Sequence, residues 1–425
     1  MIRGSLKMTA AVLAAGVSVV SAAQAGGFDR GGVNIDLLFD ESRFATEAAV
    51  TLVTPQREIT NVARGTNSAA VFVPTAAPAT AASLDVDSDF AVPRLGAKLQ
   101  LVDNLDCLAS YGQPIGADAG YGLNNAYSPT AVAFSIDTND YGLTCSYKFA
   151  AGETSLGKGQ IRIIGGVSYQ ELDGFLSRQS FLDFANLGIN NVGGVTNTSG
   201  VGRFNIGGEA WAWRIGAAYE IPEIAFRASL VYSSKYDYDL TGTQNNTGFG
   251  AVIPGSQIVP ISATTEIPQS LEFKIQSGVA ENTLAFFGVK WQEWGKLGII
   301  PIVGGVSPAT GLATNLSFDP LYRDGWTVTG GMARRINEKV SVLGAVTWDR
   351  GTSTTSGTQT DTWTFSGGVA FNPSERVELR LGGALGVLTS GTSTPSASGD
   401  PANNITYSFG NDLVAAGSLS AKIKF

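Results

Sequence analysis

Histidine is absent from this chain of 425 residues. Its absence removes the usual Ser-His-Asp triad, the usual zinc sites and any histidine acid–base pair. Enzymes that use paired carboxylates need no histidine, so the absence lowers the expectation of catalysis without excluding it. We expect no catalytic residue, no metal site and no cofactor.

Charged side chains are also scarce. They make up 15% of the chain, and the formal net charge is -8. An acidic chain gives no reason to expect a nucleic-acid partner. Glycine, by contrast, occurs at 53 positions. This balance is typical of a β-rich protein with many turns and closely packed strands.

The chain also lacks a long hydrophobic run beyond its first 25 residues, whereas a spanning helix needs about 20 apolar residues. Residues 1–25 have the pattern of an export signal, with Arg3 and Lys7 before an apolar run and AQA at 23–25 as the cleavage site. The alternative, a membrane anchor, is disfavoured because the apolar run is short. If the mature chain crosses a membrane, it must do so with strands.

Cysteine occurs only twice, as Cys107 and Cys145. Export permits a disulfide, and both residues fall in strand-like segments. The sequence alone does not fix the geometry that a disulfide needs. A cross-strand disulfide and two buried free thiols therefore both remain open.

Strict alternation is the clearest positive signal, and it is strongest in residues 413–425. Leu419, Ile423 and Phe425 share one face there, while Ser420 and Lys422 share the other. A period of two predicts a strand with one apolar and one polar face. In an exported chain this pattern indicates a bacterial outer-membrane barrel, with the apolar face toward lipid and the polar face toward the lumen.

Fourteen such strands can be placed along the chain, which predicts an all-β fold. Short connections alternate with long ones, as in outer-membrane barrels, and the even number puts both termini at the short-turn end. We predict a fourteen-stranded antiparallel transmembrane β-barrel over 49–425, with long external loops at 179–202 and 241–262. The predicted strands are 48–60, 88–102, 105–113, 130–149, 160–177, 203–220, 224–240, 263–279, 283–294, 322–336, 339–350, 360–371, 376–388 and 405–425.

Residues 26–48 precede the barrel and do not alternate. A short apolar run lies there between glycine-rich turns. The pattern predicts an N-terminal plug inside the lumen, and the alternative is a periplasmic tail. The candidate plug residues are Gly31, Gly32, Ile35, Leu37, Leu38 and Phe39.

Both long loops contain more apolar residues than a water-exposed loop needs. Apolar patches that face water usually mark a binding surface. The alternative is that the loops pack on each other as a lid. The candidate ligand-binding residues in the loops are Phe181, Phe184, Leu187, Phe249 and Ile253.

Several motifs resemble, in order and spacing, those of a known family. They are IPQSL at 267–271, ENT at 281–283, WQEW at 291–294, LYRDGW at 321–326, WD at 348–349 and YSFG at 407–410. Stretches 31–40 and 111–118 are similar as well. The chain resembles the FadL-type outer-membrane transporters of long-chain fatty acids and other hydrophobic compounds.

The resemblance implies a barrel whose lumen is closed by an N-terminal hatch and whose external loops capture the ligand. It also implies a kink in the third strand, through which the ligand leaves sideways into the bilayer. Proline removes a ladder donor and glycine weakens a strand, so the matching positions suit a kink. The alternative is that the third strand simply ends there. These positions are Gln113, Pro114, Ile115 and Gly116.

The resemblance further implies a basic residue that holds the ligand carboxylate. Arg323 matches the family motif best, and Arg203 and Lys235 near the rim are further candidates. The alternative for each is an ordinary surface or lumenal charge. We expect a monomer in the outer membrane, in contact with lipid and lipopolysaccharide, that takes up fatty acids or similar hydrophobic molecules passively. The alternative functions are a general porin for small polar solutes and an outer-membrane lipase.

Overall fold

The structure, a computed structural model, describes residues 27–31, 34–65, 80–86, 88–183, 197–251, 253–396 and 400–425. The predicted export signal at 1–25 lies outside the described residues. Among the described residues, no helix has the length and apolar character that crossing a membrane would require. Short 3-10 turns occur at Asp36–Phe39, Pro222–Ile224, Thr247–Phe249, Trp294–Lys296 and Pro401–Asn403.

Strands make up most of the described chain. In chain order they are β1 (Phe44–Pro55), β2 (Arg57–Arg64), β3 (Thr80–Val86), β4 (Phe90–Val102), β5 (Leu105–Gly112), β6 (Gly116–Gly120), β7 (Ala133–Thr154), β8 (Gly157–Asp183), β9 (Asn197–Ile221), β10 (Phe226–Ser233), β11 (Tyr236–Asn245), β12 (Ile258–Ile267), β13 (Ser270–Ala280), β14 (Thr283–Gln292), β15 (Ile300–Ile302), β16 (Leu316–Phe318), β17 (Gly325–Arg335), β18 (Val340–Asp349), β19 (Thr362–Ser374), β20 (Val377–Leu388), β21 (Gly391–Ser393), β22 (Ile405–Phe409) and β23 (Asp412–Lys424).

The wall of the molecule is a closed antiparallel sheet. Its first strand β1 pairs with β4 on one side and with the last strand β23 on the other. Within the described residues the wall contains seventeen strand segments, which form fourteen barrel strands. Three barrel strands consist of two segments each: β5 with β6, β10 with β11, and β12 with β13. The fourteen-stranded fold predicted from alternation is confirmed.

The two faces of the wall follow the alternation in sequence. On β9, Trp211, Trp213 and Ile215 point outward and are 68%, 51% and 54% exposed. Arg214, between them, is buried on the lumenal side. An outward band of large apolar and aromatic side chains is what a lipid-facing barrel surface requires.

One end of the barrel carries the short turns. The start of β1 and the end of β23 lie at this same end, as predicted. The opposite end carries a four-stranded sheet in the order β21-β22-β2-β3 and the β15–β16 hairpin. The predicted first strand 48–60 is therefore divided, because β2 leaves the wall to pair with β22 and β3. Pro55, the last residue of β1, was the signal in the sequence for this division, because proline cannot donate to a strand ladder.

The hairpins at this end extend into the predicted loops. Strands β8 and β9 pair as far as Asp183 and Asn197, and β11 and β12 as far as Asn245 and Ile258. The connections are thus shorter than the predicted loops 179–202 and 241–262. Backbone pairing needs no apolar alternation. The strand pairing in these Asn-, Gly- and Thr-rich segments was therefore not evident from the sequence.

A disulfide joins the third and fourth barrel strands. Cys107 on β5 and Cys145 on β7 are register partners, and their Cα atoms are 4.0 Å apart. The structure thus decides for the disulfide over two free thiols. Beyond it, the third barrel strand is interrupted at residues 113–115.

The segment before β1 lies inside the barrel. Its 3-10 turn at Asp36–Phe39 buries Leu37, Leu38 and Phe39 against inward-facing wall residues. These apolar side chains have no lipid to face, so they pack on a small apolar patch of the lumen. The wall residues of this patch are Ala45, Leu108, Ile164, Ala218 and Val231.

Candidate functional site

A cavity of about 310 Å³ lies between the N-terminal residues 27–30 and the long-loop end. Aromatic rings form much of its wall, so it can accept an apolar molecule. Segments from distant parts of the sequence supply these rings. They include Phe28, Phe90, Phe134, Phe318, Tyr322 and Tyr407. We call this space the upper cavity.

The ring of Phe28 occupies an aromatic cluster at the edge of the upper cavity. Its centroid is 5.3 Å from that of Tyr322, 5.8 Å from Trp294 and 6.1 Å from Phe318. Trp294, the last residue of the WQEW motif, is completely buried. Burial raises the pKa of Tyr322, so its phenol stays neutral. The cluster therefore presents uncharged aromatic surface.

Three arginines line the upper cavity, and each already holds a carboxylate. Arg57 pairs with Asp412 at 2.7 Å, and Arg178 pairs with Asp400 at 2.7 Å. Both also donate to several backbone carbonyl oxygens. Arg30 is paired as well. A ligand carboxylate in this cavity would have to displace a protein carboxylate.

A second cavity of about 260 Å³ lies on the other side of the N-terminal segment. We call it the lower cavity. Asp29 borders both cavities, so the N-terminal segment separates them. The lower cavity is more polar than the upper one. Among its described lining residues, five cations accompany four carboxylates: Arg94, Arg214, Arg227, Lys274 and Lys290 with Asp29, Asp36, Asp140 and Glu272.

Cations of the wall anchor the lower part of the N-terminal segment. Asp36 lies 3.5 Å from Arg227 and 3.7 Å from Lys274, and Asp40 lies 3.3 Å from Lys422. Burial alone would raise the pKa of both carboxyls. The neighbouring cations outweigh burial and hold the pKa of each below its ordinary value. Both groups are therefore ionised and attached at neutral pH.

The wall has a gap beside the upper cavity. The ladder between β4 and β5 ends at the pair Arg94–Gly112. Beyond that pair, residues 90–93 of β4 pair with β1, and β6 pairs with β7. In the described chain no ladder joins β4 to β6. The second and third barrel strands thus separate where the third is interrupted.

The upper part of the N-terminal segment lies along the free edge of this gap. The backbone N–H of Arg30 donates to the carbonyl oxygen of Pro114, and that of Gly116 donates to Phe28, both at 2.8 Å. These bonds satisfy groups that the interrupted ladder leaves unpaired. The segment acts here as a short extra strand.

The side chain of Arg30 spans the gap. Its guanidinium lies 4.4 Å from the ring centroid of Phe90 on β4. It also pairs with Asp118 on β6 and, at 3.0 Å, with Asp137 on β7. One side chain thus contacts both edges of the gap.

Arg323, the best family-motif candidate, lies at the surface. Its Nε donates to the carbonyl oxygen of Gly351 at 2.9 Å, and its Nη2 is 3.9 Å from Asp361. It is absent from the residues that line the upper and lower cavities. Its neighbour Tyr322 takes the inward position instead. A role in ligand binding for Arg323 stays a prediction.

The other two basic candidates are exposed as well. Arg203 lies over the ring of Phe175, 3.7 Å from its centroid. Lys235 pairs with Asp237 at 2.7 Å and with Glu266 at 3.1 Å. Neither belongs to the described lining of the two cavities. Their proposed role likewise stays a prediction.

The apolar loop candidates are buried within the long-loop end. Phe181, Phe249 and Ile253 are 7%, 5% and 3% exposed. Phe249 packs against Gly200 of β9 so closely that a Cβ there would lie 2.7 Å from its ring. Such packing matches the alternative in which the loops cover one another. Two further candidates lie outside the described residues: Phe184 and Leu187.

The candidate plug and kink residues lie near the two cavities. Gly31 and Ile35 line the lower cavity, as do Pro114 and Ile115, and Gly116 lines the upper one. Gln113 donates to Asn139 on β7 at 3.3 Å. Gly32 lies outside the described residues. Predicted plug and kink residues thus come together, while their roles remain to be tested.

Sequence reasoning missed Phe28, Trp294 and Tyr322. Trp294 and Tyr322 belong to motifs that carried the family resemblance, but nothing local showed which side chain points inward. Alternation alone places Arg214 on the polar face of β9, because it lies between Trp213 and Ile215 in the sequence. Its neighbours on that face, Ala212 and Gly216, are small and leave room around it. An arginine between small residues on one face of a strand was the sequence pattern that could have identified it.

A closed, lipid-facing barrel with an N-terminal segment between an aromatic and a polar cavity defines an outer-membrane transport barrel. The sequence agrees: residues 37–386 match the model of the outer membrane protein transport proteins (OMPP1/FadL/TodX). The chain belongs to this family, which transports hydrophobic compounds across the outer membrane and is not an enzyme family. The predicted family and the outer-membrane location are confirmed.

Solved structures show the same fold at low sequence identity. A FadL homologue from Pseudomonas aeruginosa has a TM-score of 0.72 and 14% identity, with 92% of each chain covered. The toluene transporter TodX from P. putida has a TM-score of 0.55 and 14% identity, also with 92% of each chain covered. The toluene transporter TbuX from Ralstonia pickettii has a TM-score of 0.55 and 13% identity. The match covers 95% of this chain and 96% of TbuX. No curated protein matches the chain in sequence.

Proposed function

We propose that this protein takes up long-chain fatty acids or similar hydrophobic compounds by passive diffusion. The long-loop end captures the molecule, and the upper cavity receives its apolar part. Each buried methylene stabilises the bound state by about 0.8 kcal/mol, which drives the transfer from water. The family assignment favours this function over a general porin for polar solutes.

The gap between β4 and β6 is the observation that carries the proposal. A ligand that continued along the barrel axis would enter the lower cavity, where an alkyl chain would meet ionised side chains. The gap instead leads from the upper cavity to the lipid-facing surface. We therefore propose that Phe28 and Arg30 move aside and that the ligand leaves sideways through the gap.

The proposed unit of transport is the monomer. The barrel closes within one chain, because β1 pairs with β23 along eleven residue pairs. Its outward band of apolar side chains suits contact with membrane lipid, and its long-loop end suits contact with lipopolysaccharide. No second copy is needed to complete the wall or the cavities.

A neutral aromatic hydrocarbon is the second candidate ligand. The upper cavity is lined with aromatic rings, and its three arginines are already paired. Two similar structures are toluene transporters. Comparing oleate with toluene in the same uptake assay separates the two ligand classes.

A reversible cross-link tests whether the N-terminal segment gates the gap. Asp29 and Ile115 form an antiparallel bridge without mutual hydrogen bonds. Cα atoms in such pairs are roughly 4.5 Å apart, which suits a disulfide. With Asp29→Cys and Ile115→Cys combined, oleate uptake should stop in the oxidised protein and return on reduction.

Three controls belong to this experiment. Each single cysteine variant tests the loss of the native side chain, and the wild type tests the effect of reductant on the native disulfide. Cross-linking yield is measured by mass spectrometry. Undiminished uptake by a fully cross-linked barrel would rule out gating by this segment.

A further inference from the structure

We propose that the upper cavity binds a hydrophobic ammonium ion, such as an arylalkylammonium, beside the carboxylate of Asp319. Asp319 is half-buried and lines this cavity together with Ser317 and Phe318. The inference goes beyond the proposed function, because it adds a cationic class of ligand to fatty acids and neutral hydrocarbons. It depends on the chemistry of the upper cavity and not on the uptake of fatty acids.

Asp319 lacks a cationic partner in the described chain. No lysine or arginine nitrogen of the described residues lies within 4.0 Å of its carboxylate oxygens. Its Oδ2 accepts from the Ser396 hydroxyl and from the Asn403 amide, both at 2.6 Å. Its Oδ1 is buried and has no hydrogen-bond partner. A carboxylate at an aromatic cavity is costly without a counter-charge, so this arrangement favours a cation as the occupant of the cavity.

Arg178 belongs to the same part of the cavity but is bound to other acceptors. Its guanidinium donates to Asp400 at 2.7 Å and to the backbone carbonyl oxygen of Ser317 at 3.2 Å. Asn403 connects Arg178 with Asp319, because it accepts from the arginine at 3.4 Å and donates to the carboxylate. One cation thus accompanies two carboxylates here, which leaves one negative charge for a ligand to balance.

The other aspartates that line the upper cavity already have protein partners. Asp118 pairs with Arg30, and Asp29 pairs with Lys290. Asp349 is only 3% exposed and accepts from a wall hydroxyl. Among the described lining residues, Asp319 is therefore the carboxylate that a ligand cation can neutralise.

Aromatic rings next to Asp319 suit the same ion. Phe318 immediately precedes Asp319 in the chain. The ring centroid of Phe318 lies 6.1 Å from that of Phe28 and 6.2 Å from that of Phe134. The face of an aromatic ring attracts an ammonium ion that lies within about 6 Å of the ring centroid. The hydrocarbon part of the ligand would pack on these rings as well, whereas Asp319 would repel the carboxylate of a fatty acid.

Two serine hydroxyls of the cavity wall also lack partners. Ser317 and Ser356 both line the upper cavity, and the Oγ atom of each is buried without a hydrogen-bond partner in the described chain. A primary ammonium group has three N–H donors and no acceptor, like the side chain of lysine. Oxygen atoms that can accept are therefore the groups that such a ligand requires, and an apolar hydrocarbon would leave all of them unsatisfied.

A pair of matched ligands tests the proposal. Binding of 2-phenylethylamine and of 2-phenylethanol to the protein folded in a non-ionic detergent is measured by calorimetry at about pH 7, where an alkylamine is protonated. We expect the wild type to bind the amine more tightly than the alcohol. Asp319→Asn should weaken amine binding about tenfold and leave alcohol binding unchanged, since one charge-assisted contact is lost. Asp319→Glu, which keeps the charge, should keep part of the preference.

Two control variants separate this site from the charge of the rest of the protein. Asp140→Asn removes a carboxylate from the lower cavity, and Asp103→Asn removes one from the exposed turn before β5. Neither should change the binding of either ligand. Asp319→Asn keeps an oxygen that can accept from Ser396 and Asn403, so the fold should be retained. Heat-modifiable migration in gels confirms that each barrel is folded.

The outcomes distinguish this site from the uptake function. If Asp319→Asn changes amine and alcohol binding equally, or changes neither, the ammonium site is wrong and the uptake of fatty acids or hydrocarbons still stands. The same holds if the wild type binds no amine. A larger loss of amine binding in Asp140→Asn than in Asp319→Asn would place the ion in the lower cavity and overturn the proposal. Failure of oleate uptake, in contrast, would leave a selective loss of amine binding in Asp319→Asn as support for the site.

Discussion

A cluster of charged side chains inside the lumen surrounds the carboxylate of Asp106. Asp106 is completely buried and contacts three cations: Lys98 at 2.8 Å, Arg162 at 2.9 Å and Lys148 at 3.2 Å. Arg162 also donates to the carbonyl oxygen of Leu38 at 3.1 Å. A single carboxylate therefore joins three wall cations at the point where the N-terminal segment docks.

Replacing this carboxylate should destabilise the barrel. Asp106→Ala removes the carboxylate that Lys98, Lys148 and Arg162 share and leaves only Arg162 paired, with Glu220, which should lower the free energy of unfolding by about 3 kcal/mol. Urea unfolding in lipid vesicles, followed by tryptophan fluorescence, measures the change. As a matched control, Lys148→Met removes only one of the three cations and should cost clearly less. Equal effects from both variants would show that Asp106 does not hold the cluster together.

Individual site residues were harder to predict from sequence than the faces on which they lie. Alternation placed Arg214 on the polar face and Trp211 on the lipid face, and both positions hold. The motif at 321–326 drew attention to Arg323, but the inward side chain is that of Tyr322. Orientation within a loop depends on tertiary contacts, here with Phe28 and Trp294, and no local period records them.

The N-terminal segment is an element with two differently held parts. Ion pairs with wall cations hold the lower part, Asp36–Phe39 and Asp40. The upper part is held by ion pairs of Arg30 with Asp118 and Asp137 and of Asp29 with Lys290, and also by aromatic contacts of Phe28 and by backbone bonds at the edge of the gap. Gly31, between them, has a φ of 126°, which favours glycine. Gly31 therefore marks the boundary between the two parts.

Acid should release the lower part. The pKa of Asp36 and of Asp40 lies below the ordinary value of 3.8 in the attached state. Their contribution is therefore complete above that value and is lost as the pH falls through the lowered pKa values. Hydrogen exchange of residues 34–42, corrected for the intrinsic rate at each pH, should show protection at neutral pH that declines in acid.

The double variant Asp36→Asn with Asp40→Asn provides the comparison. Its protection should be weaker at neutral pH, because neutral amides attract the wall cations less, and should change little on acidification. If the wild type kept full protection in strong acid, ion pairs would not be what holds the segment.

At the scale of the whole molecule, the barrel wall separates the lipid outside it from the polar lumen inside it. Outward positions on β20, such as Leu381 and Leu385, are 66% and 68% exposed, whereas Glu378 and Arg380 on the lumenal face form an ion pair. Lipid takes up the exposed apolar surface, and the lumen takes up the charges. The same alternation in sequence serves both sides of the wall.

A charge on the lipid face should therefore be costly. Leu381→Arg near the middle of its strand should lower the free energy of unfolding by about 2–4 kcal/mol. The control Leu381→Phe keeps an apolar side chain in lipid and should change stability little. Guanidinium unfolding in bilayers compares the two. Similar stability for both variants would mean that this face does not meet the hydrocarbon.

Period-two alternation and turn spacing were sufficient to predict the barrel strands. Strands β4 and β14 and the strands from β17 to β20 begin and end close to the predicted positions, whereas the short strands β15 and β16 were not predicted. Division of a barrel strand was not predictable in the same way. β10 and β11 read as one continuous strand, although β10 pairs with β13 and β11 pairs with β12. Such divisions reflect which neighbour a strand meets, and that information is not local.

The pairing of β1 with β23 also completes the surface on which the N-terminal segment binds. The surface that binds the N-terminal segment includes Lys98 on β4 and Lys422 on β23, which both contact Asp40. The ring closes where β1 pairs with β23, so the segment that precedes β1 acquires its complete binding surface only when the ring has closed. Protection of this segment from proteases therefore marks a finished barrel, and an unprotected segment marks a biogenesis intermediate.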